Sequence, residues 1–185
     1  MRSQWWLIAL GCGPLLPALA KPPDAGPQAA VWRAQSVAFS YPGRTVRYSC
    51  EGLREKLRAV LLELGARRDL SIGAEGCDHR APRLTLEFST PVTPQPEMKA
   101  RDTADLAAVD ARYELFLLTS DALHNFGPAD CELIDEFTRQ VLPRLATRGV
   151  DAKILCVPYQ QSGSHYAVRG EILRALPGAA RRSGG

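Results

Sequence analysis

The chain predicts an α+β fold: a mostly antiparallel sheet, two amphipathic helices on one face, and two disulfides. Three observations predict it. Two stretches, about Glu51 to Leu64 and Cys131 to about Ala146, repeat apolar residues at helical spacing. Around them, short segments alternate apolar with small or polar residues. Four cysteines, Cys50, Cys77, Cys131 and Cys156, fall at the helix starts and near the ends of the strands that succeed them.

Residues 1–20 read as a secretory signal peptide. Arg2 supplies the positive end, Trp5 to Leu10 with Leu15, Leu16 and Leu19 the apolar middle, and Ala18-Leu19-Ala20 the small-x-small cleavage pattern. The apolar stretch is broken by Gly11, Gly13, Pro14 and Pro17, which argues against a membrane-spanning helix. Cys12 after Leu10-Gly11 offers a minor alternative, lipid anchoring at that cysteine. Loss of residues 1–20 takes away one basic residue, Arg2, and changes the net charge from +3 to +2. What remains carries no second segment able to span a membrane. Arg outnumbers Lys 19 to 4 and Asn125 is the only Asn, a skew that fits a GC-rich genome. The expected setting is therefore a bacterial periplasm or the outside of the cell.

Residues 21–30 are a Pro/Ala-rich arm, residues 31–176 a single α+β domain, and residues 177–185 a disordered tail. Within the domain, Val37, Phe39 and Tyr41 alternate, Pro42-Gly43 supplies a turn, and Val46 and Tyr48 alternate again, which predicts a β-hairpin. The first helix comes next, with Ser49 as N-cap and Gly65 as stop; Leu53, Leu57, Val60, Leu61 and Leu64 line one face. Strands are expected around Leu70–Ala74 and Leu84–Phe88. A Pro-rich loop from Ser89 to Asp110, with one helical turn near Ala104–Ala108, joins this half (about 31–90) to the next (about 111–176). That loop is a linker, or a mobile segment that contacts a ligand.

The second half begins with a strand over about Arg112–Leu118. Its helix starts at Cys131 behind an Asp130 cap, should kink or restart at Pro143, and should end at Gly149. Strands at Ala152–Val157 and Tyr166–Leu173 complete it. A shift of 81 residues carries Cys50 onto Cys131, and Leu53, Val60, Leu61 and Leu64 onto Ile134, Val141, Leu142 and Leu145. This is the pattern of two related βαββ halves, or of coincidence between two amphipathic helices.

The cysteines sort by geometry. A helix of this length carries the chain roughly 22 Å away from its start, and about seven residues of strand bring it back. Cys50–Cys77 and Cys131–Cys156 are the expected pairs, as befits an even cysteine count in an oxidising compartment. The chain has no Cys-x-x-Cys and no closely spaced ligand pairs, so neither thiol exchange nor a zinc site is expected.

Chemistry is weakly marked. There is no nucleophile elbow, phosphate-binding glycine loop, dinucleotide fingerprint or His-Glu-x-x-His helix. His79, His124 and His165 are the weak catalytic candidates. Ser164 beside His165 points to the opposite strand face, so QQSGSH reads as the last hairpin turn. Arg44, Arg47, Arg54 and Arg58 read as a solvated face, with an anionic lipid or cell-wall polymer as the alternative. A net charge of +3 excludes a strongly basic nucleic-acid binder. The sequence therefore favours a non-enzymatic interaction or envelope-associated module, with no cofactor and no metal, whose partner is an envelope protein or polymer. The alternatives are a small extracytoplasmic hydrolase assembled from loops, and a ligand or metal carrier.

Overall fold

The computed structural model describes residues 26–76, 82–94, 108–160 and 162–180. Residues 1–20, expected as a signal peptide, with Cys12, Cys77, His79, most of the expected Pro-rich loop and residues 181–185 lie outside these residues. The elements run β1 (Gln28–Ser40), α1 (Cys50–Glu63), β2 (Ser71–Glu75), β3 (Arg83–Val92), β4 (Ala108–Thr119), α2 (Cys131–Gln140), β5 (Thr147–Leu155) and β6 (His165–Ala180). They build one six-stranded sheet in the order β2-β3-β1-β4-β6-β5, with every neighbouring pair antiparallel. The α+β class is as the sequence predicts.

Strand alternation sorts the sheet into two faces. Val37, Phe39, Leu84, Leu86, Phe88, Phe116, Leu118, Tyr166, Val168 and Ile172 share one core with Leu53, Leu57, Val60 and Leu61 of α1 and with Leu133, Ile134 and Phe137 of α2. Both helices therefore cover the same face. A smaller cluster of Ala30, Val109, Ala111 and Leu173 lies on the other face, where β1, β4 and β6 meet.

Local signals set the helix ends. The Ser49 hydroxyl accepts the Gly52 N–H at 3.1 Å, capping α1. At the other end Gly65 takes φ +83°; its N–H reaches the Leu62 carbonyl and the Ala66 N–H the Leu61 carbonyl, a Schellman closure. Pro143 acts as expected: α2 stops at Gln140 and a separate 3-10 turn, Leu142–Arg144, comes after it.

Five features differ from the sequence reading, the first being the expected Ser89–Asp110 loop, whose ends are strand: β3 runs to Val92 and β4 starts at Ala108. The expected Val37–Tyr48 hairpin does not form: Val46–Tyr48 is not a strand, and Glu132 on α2 accepts the Arg44 and Thr45 N–H groups after the turn at 3.0 Å. Tyr41 instead donates its hydroxyl to the Val46 carbonyl at 2.8 Å. Gly149 does not end a helix; with φ +59° it sits where the β5–β6 register shifts between Arg148 and Asp151. β1 starts at Gln28, inside the expected arm, because Gln28–Val31 pair with Ala111–Ala108 of β4. β6 likewise runs into the expected tail, pairing Ala180 with Val109. Of the two expected disulfides, Cys131–Cys156 is present, linking the start of α2 to the residue after β5. The Cys50–Cys77 pairing involves Cys77, outside the described residues.

With the hairpin gone, each half reads strand, helix, strand, strand. From the centre of the sheet outward, the first half is ordered β1-β3-β2 and the second β4-β6-β5. The halves meet through β1 and β4 over four residue pairs only. Beyond them the two strands run past each other. β1 from Trp32 to Ser40 pairs only with β3, and β4 from Arg112 to Thr119 only with β6.

These contacts set two expectations for stability. Replacing Cys131 and Cys156 by Ser should cost about 3–4 kcal/mol, the loop-closure entropy of a 25-residue separation; urea denaturation checks it. Gly170→Ala should cost about 1–3 kcal/mol, since a Cβ would meet Phe116 at 3.0 Å and the Arg148 carbonyl and Val150 backbone at 3.2 Å.

Candidate functional site

The histidines do not assemble a site. His124 is exposed in the loop after β4, and His165 is exposed at the start of β6, on the face away from the helices. His79 lies outside the described residues. Among the described residues, no three His, Cys, Asp or Glu side chains come together as metal ligands. Ser164 is a turn residue, as its sequence context suggests. It is buried, accepts the Val157 N–H at 2.9 Å and donates to the Gln160 carbonyl at 3.3 Å.

The densest polar cluster surrounds Asp130, and its form was not legible in the sequence. Asp130 precedes α2, yet its carboxylate makes no capping bond within that helix. It turns inward instead, 4% exposed, and accepts the Gly127 N–H at 2.8 Å, the Tyr48 hydroxyl at 2.5 Å and the Lys56 ammonium at 2.8 Å. Lys56 also donates to the Asn125 carbonyl at 2.6 Å and lies 4.4 Å from the centre of the Phe126 ring. All three partners of the carboxylate are thus donors held in place from α1, its preceding loop and the Gly127 turn.

Burial and this carboxylate decide what the nearby phenols can do. Burial, then the Asp130 hydrogen bond and charge, push Tyr48 far above the ordinary tyrosine value. Tyr41 and Tyr166 are also raised, by burial first and by neighbouring carboxylates second. These hydroxyls stay protonated near neutral pH, so none serves there as a proton acceptor. The cluster is a clamp between the halves.

The arginine group divides in the same structural way. Arg58 donates to the Leu70 and Arg68 carbonyls at 3.1 and 2.8 Å, closing the loop after α1. Arg54 pairs with Glu51 one helical turn away at 3.3 Å.

A different feature carries the strongest binding potential. The register of β1 with β3 is continuous from Val31 to Ser40, so alternate residues aim their backbone N–H and C=O groups to opposite edges. Tyr41 donates to the Pro82 carbonyl on the β3 side. Ser40 points the other way, where its N–H and C=O are met by the Gln140 side-chain amide at 2.9 and 2.8 Å. Trp32, Ala34, Ser36 and Ala38 share the orientation of Ser40. Among the described residues no strand lies beside them, and Ala34, Ser36 and Ala38 are exposed.

This edge has a wall. A depression of about 660 Å³ runs between Ser36–Ala38 and the end of α2, bordered by Arg139, Gln140, Pro143 and Arg144. Gln140 already occupies its closed end in the way a neighbouring strand would, with one amide donating and accepting across the edge. No family model matches the chain, and no curated protein or solved structure matches it.

The raised phenols fix the alkaline behaviour. Unfolded tyrosines ionise near pH 10, whereas the folded ones hold their protons, so the folded state binds more protons above that value. Their contribution is fully present below pH ~10 and is lost above it, by up to about 1.4 kcal/mol per pH unit for each phenol. Urea denaturation at stepped pH should show that fall. Tyr48→Phe should reduce this tyrosine-linked slope by about a third.

Proposed function

We propose that this protein is a non-enzymatic binding module of an extracytoplasmic compartment, which captures an extended polypeptide along the free edge of β1. The observation that carries the reading is the exposed backbone of Ala34, Ser36 and Ala38, unpaired among the described residues, on a strand whose other edge is fully paired. An added strand completes the ladder with main-chain hydrogen bonds, and its alternate side chains face the two sides of the sheet. The Gln140 amide on Ser40 supports the accessibility of that edge to a peptide group.

The compartment is argued from two features together. The Cys131–Cys156 disulfide fits an oxidising environment, and residues 1–20 have the organisation of an export signal. No helix among the described residues is long and apolar enough to cross a membrane. We place the protein in a bacterial periplasm or outside the cell, with Cys50–Cys77 as the second staple. Its counterpart Cys131–Cys156 spans the same helix start and strand end, and Cys77 lies two positions beyond Glu75, the last residue of β2. The matching element order of the two halves supports an internal duplication.

The edge is tested by Ala38→Pro. The lost N–H faces away from β3, so the β1–β3 ladder keeps its bonds, while an added strand loses a donor. Selection of linear peptides from a displayed library on the full-length protein should enrich binders, and A38P should weaken them about tenfold or more. Retained amide protection at Val37 and Phe39 would show that A38P is folded. Enrichment of no peptide, or binding that survives in folded A38P, would overturn the reading.

A further inference from the structure

We infer that the β1 edge selects a strand of alternating charge, with acidic side chains toward the helices and basic side chains toward the open face. The inference rests on the reading of this edge as a peptide-binding edge, and it concerns what the edge prefers.

Two depressions meet at Ser36. On the helix side, the depression of about 660 Å³ is walled by Arg139 and Arg144 of the α2 end. Arg139 is held by Asp135 and Glu136 at 3.0 and 2.7 Å. The Arg144 side chain is exposed and makes no ion pair or hydrogen bond among the described residues. A positive group without a partner thus stands over one side of the edge.

On the opposite face a second depression, of about 410 Å³, extends from Ala34 and Ser36 across β3 to β2, and Asp69 and Glu87 line it. Asp69 is paired with Arg67 at 2.8 Å, whereas among the described residues Glu87 accepts only the Ser71 hydroxyl at 2.9 Å. With Asp69 neutralised by Arg67, Glu87 is the negative group this side presents. Side chains of an added strand alternate between the faces, one residue to the helix side and the next to the open side. A strand of alternating sign therefore meets an unlike charge on each face, and one of uniform sign meets a like charge on one of them. The side chains of Ala34, Ser36 and Ala38 are small, which leaves room for the long side chains of the added strand.

The test compares two capped peptides of equal composition and net charge, one of four Glu-Lys repeats and one with four Glu followed by four Lys. Calorimetric titration of the full-length protein should show the alternating peptide binding about tenfold or more tightly than the block peptide. Its binding should protect the Ala34, Ser36 and Ala38 amides from hydrogen exchange while Val37 and Phe39 are unchanged. Arg144→Glu should weaken the alternating peptide by a similar factor, and A38P should weaken both. Equal affinity for the two peptides, with A38P still weakening both, overturns the charge preference and leaves the binding edge standing. Binding of neither peptide, while library-selected peptides bind through the edge, overturns the preference too. Affinity that is unchanged in folded A38P overturns the edge itself.

Discussion

Four residue pairs between β1 and β4 join the two halves of the sheet, and the rest of the architecture answers to that short ladder. An antiparallel pair of this length is marginal alone. The halves are held instead by the layer above it. The core runs without a break from Leu53 and Leu57 of α1 to Leu133 and Phe137 of α2, all at or near zero exposure. Glu132 binds the loop before α1 by two backbone donors, and Asp130 collects Tyr48 and Lys56 from the same half. Burying a carboxylate is costly unless its lone pairs are filled. Here Tyr48 and Lys56 of the opposite half and Gly127 of its own fill them, so the polar contacts fix how the halves sit.

The same short ladder creates the edge. If β1 and β4 overlapped along their whole length, the backbone groups of Ala34, Ser36 and Ala38 would be spent inside the sheet. Because the strands are staggered, the fold gains an interior strand with one open side. Its far end is closed by Gln140, a single side chain doing for one residue what a strand would do for several.

The legible part of the sequence was local. Leu53, Leu57, Val60 and Leu61 recur at helical spacing, Ser49 caps the turn directly after it, and Gly65 accepts a left-handed backbone; α1 forms where these signals put it. Cys131 and Cys156 sit one helix and one returning strand apart, and chain geometry alone brings them together. The misreadings involve distant partners. Pro42-Gly43 has the chemistry of a hairpin turn, but Glu132 lies 88 residues from Arg44 and takes the donors the hairpin needs. The Gln140 contact with Ser40 spans 100 residues. The free edge is set by register between two strands about 80 residues apart, and no composition or periodicity encodes that register. Asp130 does stand at a helix start, yet its role depends on Tyr48 and Lys56, which sequence order does not connect to it.

Exposed strand edges invite pairing with other chains, and proteins blunt them with short strands, bulges and charge. The outer edges here carry those devices. β2 has five residues, and β5 has an irregularity at Gly149 with Arg148, Asp151 and Lys153 along its length. The exposed stretch of β1 has neither a bulge nor a proline, and Ala34, Ser36 and Ala38 are small and uncharged. A strand with Arg33 as its one charged side chain and no guard on its backbone, in a sheet whose outer edges are guarded, has the makings of a docking line. The depression beside α2 limits what can approach it, so the opening is selective in shape as well as in backbone.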